Sequence, residues 1–466
     1  MSTPGAAVAP LAHAFGARYD APFPVALFVL AGAAVVVVSF LLVSGRGEAG
    51  GAGELTAEPL PPAPRGHRVV ATASVLVLGA LVLCGAAGTQ EVSENLTPVV
   101  FWLVVWVVVP VVVALVGDLT RPVNPFTALA RLADSARLRR LVLGTPDPLP
   151  WPRALGWWVP CGVFTVVVAG ELVVNRTATL PRVTAAGLAV YALVCLVGGL
   201  VVGAEAWTAR GELFAVLFAT WGRLGWWRFG APGRRGFGGG LDAGFDPAPS
   251  RLVFVALLLV TVTYDGVLST PQWGDLVARL PGGSGPAERG GQVAAALAFV
   301  PLLLVMLGLF GAFALASARA GGRLAPAWTA RTALVGLLPS LVPIALGYQL
   351  AHYVQYVAIN GQLLVPLLGD PAGLGWSLLP PPFTDDYAVD TTVMPNSVVW
   401  WVQLVAIVAA HVAAVVIAHR HLLAVAPDEA SARRSEWPWL VAMVGYTALS
   451  LWLLAQPVVE HAEGGH

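Results

Sequence analysis

Not one lysine occurs in the 466 residues, so all 26 basic residues are arginines. That absence excludes chemistry that turns on a lysine amine, such as a retinal or pyridoxal Schiff base, and the phosphate-binding lysine of a Walker A loop. Charge of either sign is scarce as well. Charged residues make up 11% of the chain, against about 25% in soluble domains. Acids and arginines balance at 26 each, leaving no net field to recruit nucleic acid. Cysteine is limited to Cys84, Cys161 and Cys195, each in an apolar run and none in CxxC spacing. They read as small buried hydrophobes rather than a disulfide set or zinc knuckle. No HExxH, GxSxG elbow or EF-hand loop is present.

What is present is apolar. Hydrophobic residues make up 57% and the mean hydropathy is +0.76. A chain of this composition could not shield its surface from water, and it reads as a multi-pass membrane protein. A bilayer core of about 30 Å is crossed by about 20 helical residues. Ten runs meet or approach that length: Pro24 to Ser44, Val69 to Gly88, Pro98 to Val116, Ala154 to Val174, Val183 to Gly203, Leu252 to Leu268, Val293 to Ala316, Ala333 to Ile359, Ser397 to Ala418 and Pro438 to Ala455. The expected fold class is all-α, a polytopic transmembrane helix bundle of about ten spans. The first run follows more than twenty polar residues without a basic leader or cleavage pattern, so it is not read as a signal peptide.

Assigning alternate loops to opposite sides puts 21 arginines on one side and 5 on the other. By the positive-inside rule the first side is cytoplasmic. The expected organisation is an extracytoplasmic segment 1–23, a membrane domain 24–458 with cytoplasmic loops 45–68, 117–153, 204–251, 317–332 and 419–437, and an extracytoplasmic tail 459–466. This places the chain in a cytoplasmic membrane with both termini outside. Within the loops, Asn124 to Leu141 sets Phe126, Leu129, Leu132 and Leu138 among arginines. Glu212 to Trp227 ends in Trp221, Trp226 and Trp227. Both are expected to be amphipathic helices lying in the interface. The Gly/Arg-rich tract from Gly230 to Gly244 reads as a flexible linker whose glycines match no nucleotide-binding spacing. Gly199 and Gly203 form a GxxxG pair that permits close helix packing.

Ionisable groups inside a membrane are costly and therefore mark candidate sites. Tyr348, His352 and Gln355 fall at i, i+4 and i+7, on one face of the eighth run, in its outer third. Pro339 and Pro343 predict a kink in that run. The ninth run carries Gln403, His411 and His419 along a slanting strip, with His411 near the bilayer centre. Tyr264 and Asp265 sit at the outer end of the sixth run, and Glu171 ends the fourth on the same side. An acidic loop (Asp370, Asp385, Asp386, Asp390) and the N-terminal His13 and Asp20 lie outside. The tail residues Glu460, His461, Glu463 and His466 read as a disordered terminus. Asp265, His352 and His411 are thus candidates to converge on an outward-opening cavity. Imidazole and carboxylate suit a divalent transition metal, Zn, Mn or Fe, whose bound water could attack an ester. On that reading Asp265, Tyr348 and Gln355 are catalytic or orienting residues, and His352, His411 and Asp265 are metal ligands. Without metal, the same groups could bind a solute or relay protons.

Several segments together resemble a family. They are His13-Ala-Phe-Gly-Ala-Arg-Tyr-Asp20, Gly117-Asp118-Leu119 with Asn124-Pro125-Phe126, Tyr264-Asp265-Gly266 with Thr270-Pro271-Gln272-Trp273, Val342-Pro343 leading to Ala351-His352-Tyr353, and Gln403 with His411 and His419. Over nearly its whole length the chain resembles the bacterial, chiefly actinobacterial, multi-pass membrane proteins that carry the name fenitrothion hydrolase subunit. The resemblance departs at Thr120 and Phe126, where larger aromatics are expected. It implies hydrolysis of an organophosphate triester by a membrane-bound hetero-oligomer with a second membrane subunit. Three functions therefore stand open on the sequence: a metal-assisted phosphotriester hydrolase, a permease for a small molecule or ion, and a non-catalytic partner of an extracytoplasmic metalloenzyme.

Overall fold

The computed structural model describes residues 25–43, 68–229, 236–280, 289–322, 330–384, 386–426 and 428–455. The segment with His13 and Asp20, Asp385, the tract from Gly230 to Arg235 and the tail beyond Ala455 lie outside these. Among the described residues every regular element is helical. The principal helices are α1 (Val25–Val43), α2 (Arg68–Ala87), α3 (Leu96–Val116), α4 (Pro125–Ala133), α5 (Ala136–Leu143), α6 (Trp158–Leu172), α7 (Pro181–Val202), α8 (Ala204–Arg210) and α9 (Leu213–Trp221). They continue with α10 (Pro249–Leu268), α11 (Pro271–Ala278), α12 (Arg289–Ala320), α13 (Ala330–Leu337), α14 (Leu341–Asn360), α15 (Asn396–Val425) and α16 (Glu429–Leu454).

Seven of these, α2, α3, α7, α10, α12, α15 and α16, are long and apolar enough to cross a membrane. The first and fourth predicted runs form α1, with the apolar stretch Val29–Leu42, and α6, Trp158–Leu172. The eighth run does not form one helix. It divides into α13 and α14 through a tight 3-10 turn at Leu338–Ser340, because Pro339 lacks the N–H that would continue the ladder. Pro343, in contrast, is carried inside the first turn of α14. Helix covers most of the expected loop 419–437. Residues up to Val425 extend α15 and α16 begins at Glu429, so His419 and His421 are helical and buried. The exterior of the bundle is greasy: Val69, Leu76 and Leu83 on α2 and Leu297, Val300 and Leu304 on α12 are all more than half exposed. Such a surface belongs against lipid rather than water.

α10 is the central helix. Fourteen of its residues, Ser250 through Asp265 with few gaps, are buried, as expected of a helix that is apolar all round. α14 packs beside it and α15 runs antiparallel to α14, with Gln403 Nε2 donating to the Ala351 carbonyl at 3.0 Å across their contact. Their approach is close because it uses small residues: a Cβ at Gly347 would stand 2.3 Å from Ala410 Cβ.

The two expected interfacial helices are revised. The first is two helices, α4 and α5, broken at Asp134 and Ser135. Phe126, Leu129 and Ala130 of α4 face protein rather than lipid, while Leu132, Leu138 and Leu141 are exposed. The second, α9, is interior, with Leu213, Phe214, Val216, Leu217, Phe218 and Trp221 all buried. Its sequence is apolar on every face, so no side favours water. One joint holds α4 and α9 together. Asn124 Oδ1 accepts from the N–H groups of Phe126 and Thr127, capping α4, and its Nδ2 donates to Glu212 Oε2 at 2.8 Å. Glu212 in turn caps α9 through Phe214 N and Ala215 N, and accepts from the Tyr191 hydroxyl at 2.8 Å.

The GxxxG pair is used, at Gly199. A Cβ there would lie 2.1 Å from the Ala130 carbonyl oxygen, so α7 touches the α4 backbone directly. Gly199→Leu is expected to lower the thermal midpoint of the detergent-solubilised protein, overpacking being worth about 1–3 kcal/mol. A variant melting with the wild type would contradict this contact.

Candidate functional site

Two helices place carboxylates on one pocket, and a third sets a histidine against one of them from outside the lining. Glu171, four residues short of Asn175 in the last turn of α6, and Asp265, in the last turn of α10, both line it. Gln349 and Tyr353 of α14 complete its polar side. Trp106, Phe164 and Trp221 with Leu217 and Leu258 make its walls. The space inside it open to a water-sized molecule is about 30 Å³, room for about two waters.

Each acid has a defined partner. Trp106 Nε1 donates to Glu171 Oε2 at 2.7 Å, and the Tyr353 hydroxyl donates to Glu171 Oε1. Asp265 Oδ2 pairs with His352 Nε2. His352 and Tyr353 are neighbours in the chain, with ring centroids 4.7 Å apart, so one turn of α14 serves both carboxylates. Glu171, Asp265 and His352 are each no more than 6% exposed. Burying two carboxylates beside one imidazole is expensive unless hydrogen bonds and opposite charge compensate it, and here every acid is compensated.

Trp106 is brought to Glu171 by an unusual stretch. Val99–Val108 is wound as a π-helix, closed by Val109 N–H donating to Val104 O. Wide turns of this kind occur preferentially at functional sites.

The predicted site residues do not all meet here. Asp265 and His352 are brought together. Tyr348 and Gln355 share their face of α14 and are buried, but Tyr348 packs with Val262 and Leu453 rather than lining the pocket. His411 belongs to a second station. Its Nδ1–H donates to the Ile407 carbonyl at 2.8 Å, and its ring lies 6.0 Å from Tyr446, whose hydroxyl bonds to Thr263. Among the described residues, the buried His411 Nε2 and Tyr348 hydroxyl have no hydrogen-bond partner. A third station is the buried pair of His419 Nδ1 and Glu436 Oε1, two turns further along α15. Among the described residues no group of three or more His, Cys, Asp or Glu side chains is placed to hold a metal ion.

The acidic loop does not join the pocket. Asp370 is occupied in its own turn, accepting from the N–H groups of Leu374, Gly375 and Trp376. Asp390 is exposed, and hydrogen bonds from Thr392 hold its carboxyl below the usual range. The residues that sequence reasoning missed are Trp106, Gln349 and Tyr353. Trp106 had one available signal, an indole N–H in an otherwise wholly apolar run, which needs an acceptor when buried.

Comparison with protein-family models, with curated proteins and with solved structures finds no match to this chain.

Proposed function

We propose that the chain is a multi-pass permease of the bacterial cytoplasmic membrane, which exchanges a small cationic solute for a proton at the Glu171–Asp265–His352 pocket. The observation that carries this reading is two buried carboxylates on one aromatic-walled pocket, with a single histidine paired to Asp265 behind it. With both acids ionised and the histidine protonated, the pocket holds one net negative charge. A cation over Trp106, Trp221 or Tyr353 would neutralise it, since aromatic faces attract cations. A proton would neutralise it equally, so the two compete for one site. One cation entering for one proton leaving keeps the exchange electroneutral.

With the arginine-rich side cytoplasmic and both termini outside, the pocket opens outward. The polar stations continue inward from it. Tyr348 lies within electrostatic reach of both Asp265 and Tyr446. Tyr446 leads to His411, and His419–Glu436 follows at about 12 Å, eight residues along α15 at 1.5 Å each. Intramembrane chains of this kind serve proton relays.

The test is purified protein in liposomes with a trapped pH-sensitive dye and tetramethylammonium as the probe. Adding the probe outside is expected to acidify the external medium and raise the internal pH, at a rate well above that of protein-free liposomes. No proton movement with the probe, and none under an imposed pH gradient, would remove the transport reading. The hydrolytic reading implied by the resemblance rests on the same Asp265–His352 pair, which could ligate a transition metal and orient its water. It predicts about one equivalent of Zn, Mn or Fe in the purified protein, lost in His352→Ala. The transport reading predicts no such equivalent, and exchange that survives a chelator.

A further inference from the structure

At the end of the bundle away from the acidic pocket, arginines gather around two aromatic rings. Arg251 is in the first turn of α10, fourteen residues or about 21 Å of helix from Asp265. It is 8% exposed, and its guanidinium carbon lies 5.7 Å from the Trp157 ring centre and 4.9 Å from that of Phe245. Arg223, equally buried, lies 4.0 Å from the Phe245 ring. Arg210 lies 5.7 Å from the Trp157 ring and is exposed. Three guanidinium groups thus share two rings.

Their hydrogen bonding is uneven. Arg223 donates to the carbonyls of Gly240, Ala243 and Gly244. Among the described residues Arg251 donates once, from Nη2 to Thr220 Oγ1 at 2.9 Å, and its buried Nη1 has no hydrogen-bond partner. It makes no ion pair among the described residues. Asp246, the acid within its electrostatic reach, uses Oδ1 to accept from Ala248 N. A buried guanidinium with an unused pair of N–H groups is one of the costliest arrangements a fold can hold, unless something supplies the missing acceptor and charge. Aromatic faces offset part of that cost, but they accept no N–H in the guanidinium plane.

We propose that Arg251, assisted by Arg223 and Arg210, is a binding site for a phosphate group, from a phospholipid headgroup or from free phosphate. A planar guanidinium presents paired N–H donors that match two phosphate oxygens, and a group carrying one to two negative charges balances the surplus of cations better than a single carboxylate. Trp226, Trp227 and Phe229, all exposed, follow Arg223 in the chain. Aromatic side chains of this kind sit at headgroup depth, which places a lipid phosphate within reach of the cluster.

The test uses the full-length protein in a phosphate-free, zwitterionic detergent, titrated separately with inorganic phosphate and with short-chain phosphatidylglycerol while its thermal midpoint is followed. The wild type is expected to rise with the ligand, as binding to the folded state requires. Arg251→Lys, which keeps the charge but loses the fork, is expected to need at least about 10-fold more ligand for the same rise. Arg210→Gln, at an exposed position, is expected to need a few-fold more. A response to phosphatidylglycerol alone identifies the headgroup as the source, and an equal response to inorganic phosphate identifies the free ion. A wild type insensitive to both, or an Arg251→Lys variant that titrates like the wild type, would overturn the proposal.

Discussion

Replacing Asp265 by asparagine is expected to slow proton exchange in liposomes by about 10- to 100-fold at equal protein content. Asparagine keeps the shape of the side chain and removes only its charge. It therefore withdraws the counter-charge from His352 and half of the negative charge in the pocket that also holds Glu171. A hydrogen bond to a charged group is worth about 1.5–3 kcal/mol, and each 1.4 kcal/mol is tenfold. Asp265→Glu should recover part of the rate, because a carboxylate returns at a displaced position. The thermal midpoints of both variants serve as the control, since a purely architectural Asp265 would move stability and leave exchange per folded molecule unchanged. Wild-type exchange in Asp265→Asn would mean that the pair is a strut and the solute passes elsewhere.

The second large effect is on stability. Glu212→Ala is expected to destabilise the protein by about 3–4 kcal/mol, because it leaves four donors short at once. Phe214 N, Ala215 N, the Tyr191 hydroxyl and Asn124 Nδ2 all give hydrogen bonds to this one fully buried carboxylate. Glu212→Gln retains one carbonyl acceptor and should fall between alanine and the wild type. The loss should be read by thermal denaturation, with exchange measured alongside. α9 carries Leu217 and Trp221 into the pocket wall, so a frayed α9 start should weaken solute binding as well as the fold. A Glu212→Ala protein as stable as the wild type would show that the joint between α4 and α9 is satisfied by other acceptors.

The helical class and the membrane character of the surface were legible because they depend on composition and run length alone. Asp265 and His352 were legible for a related reason: a charge in an apolar run has few places to be except beside another. Partner choice was harder to read. Whether His352 meets Asp265 or His411 depends on how far α14 slides against α10 and α15. Gly347 against Ala406 and Ala410 fixes that register through contacts made by the absence of side chains, a signal that hydropathy does not carry. α9 misled for another reason. Its tryptophans resemble interface anchors, but Trp221 is interior while Trp226 and Trp227 are exposed. The break at Leu338–Ser340 was foreshadowed by Pro339, whereas Pro343 left its helix intact, since a proline in the first turn removes no hydrogen bond that would otherwise form.

α10 carries its two charges in an unusual order. Aligned peptide dipoles give a helix a partial positive charge at its first turn and a partial negative charge at its last, and each favours a side chain of opposite sign by about 0.3–1 kcal/mol or more. Here Arg251 occupies the first turn and Asp265 the last, so both side chains oppose the field of the backbone that carries them. Because α10 is buried along its length, water does little to screen that opposition. At the Asp265 end the paired His352 offsets that opposition; at the Arg251 end the phosphate proposed above would do the same, and a helix with both ends offset is the more stable one.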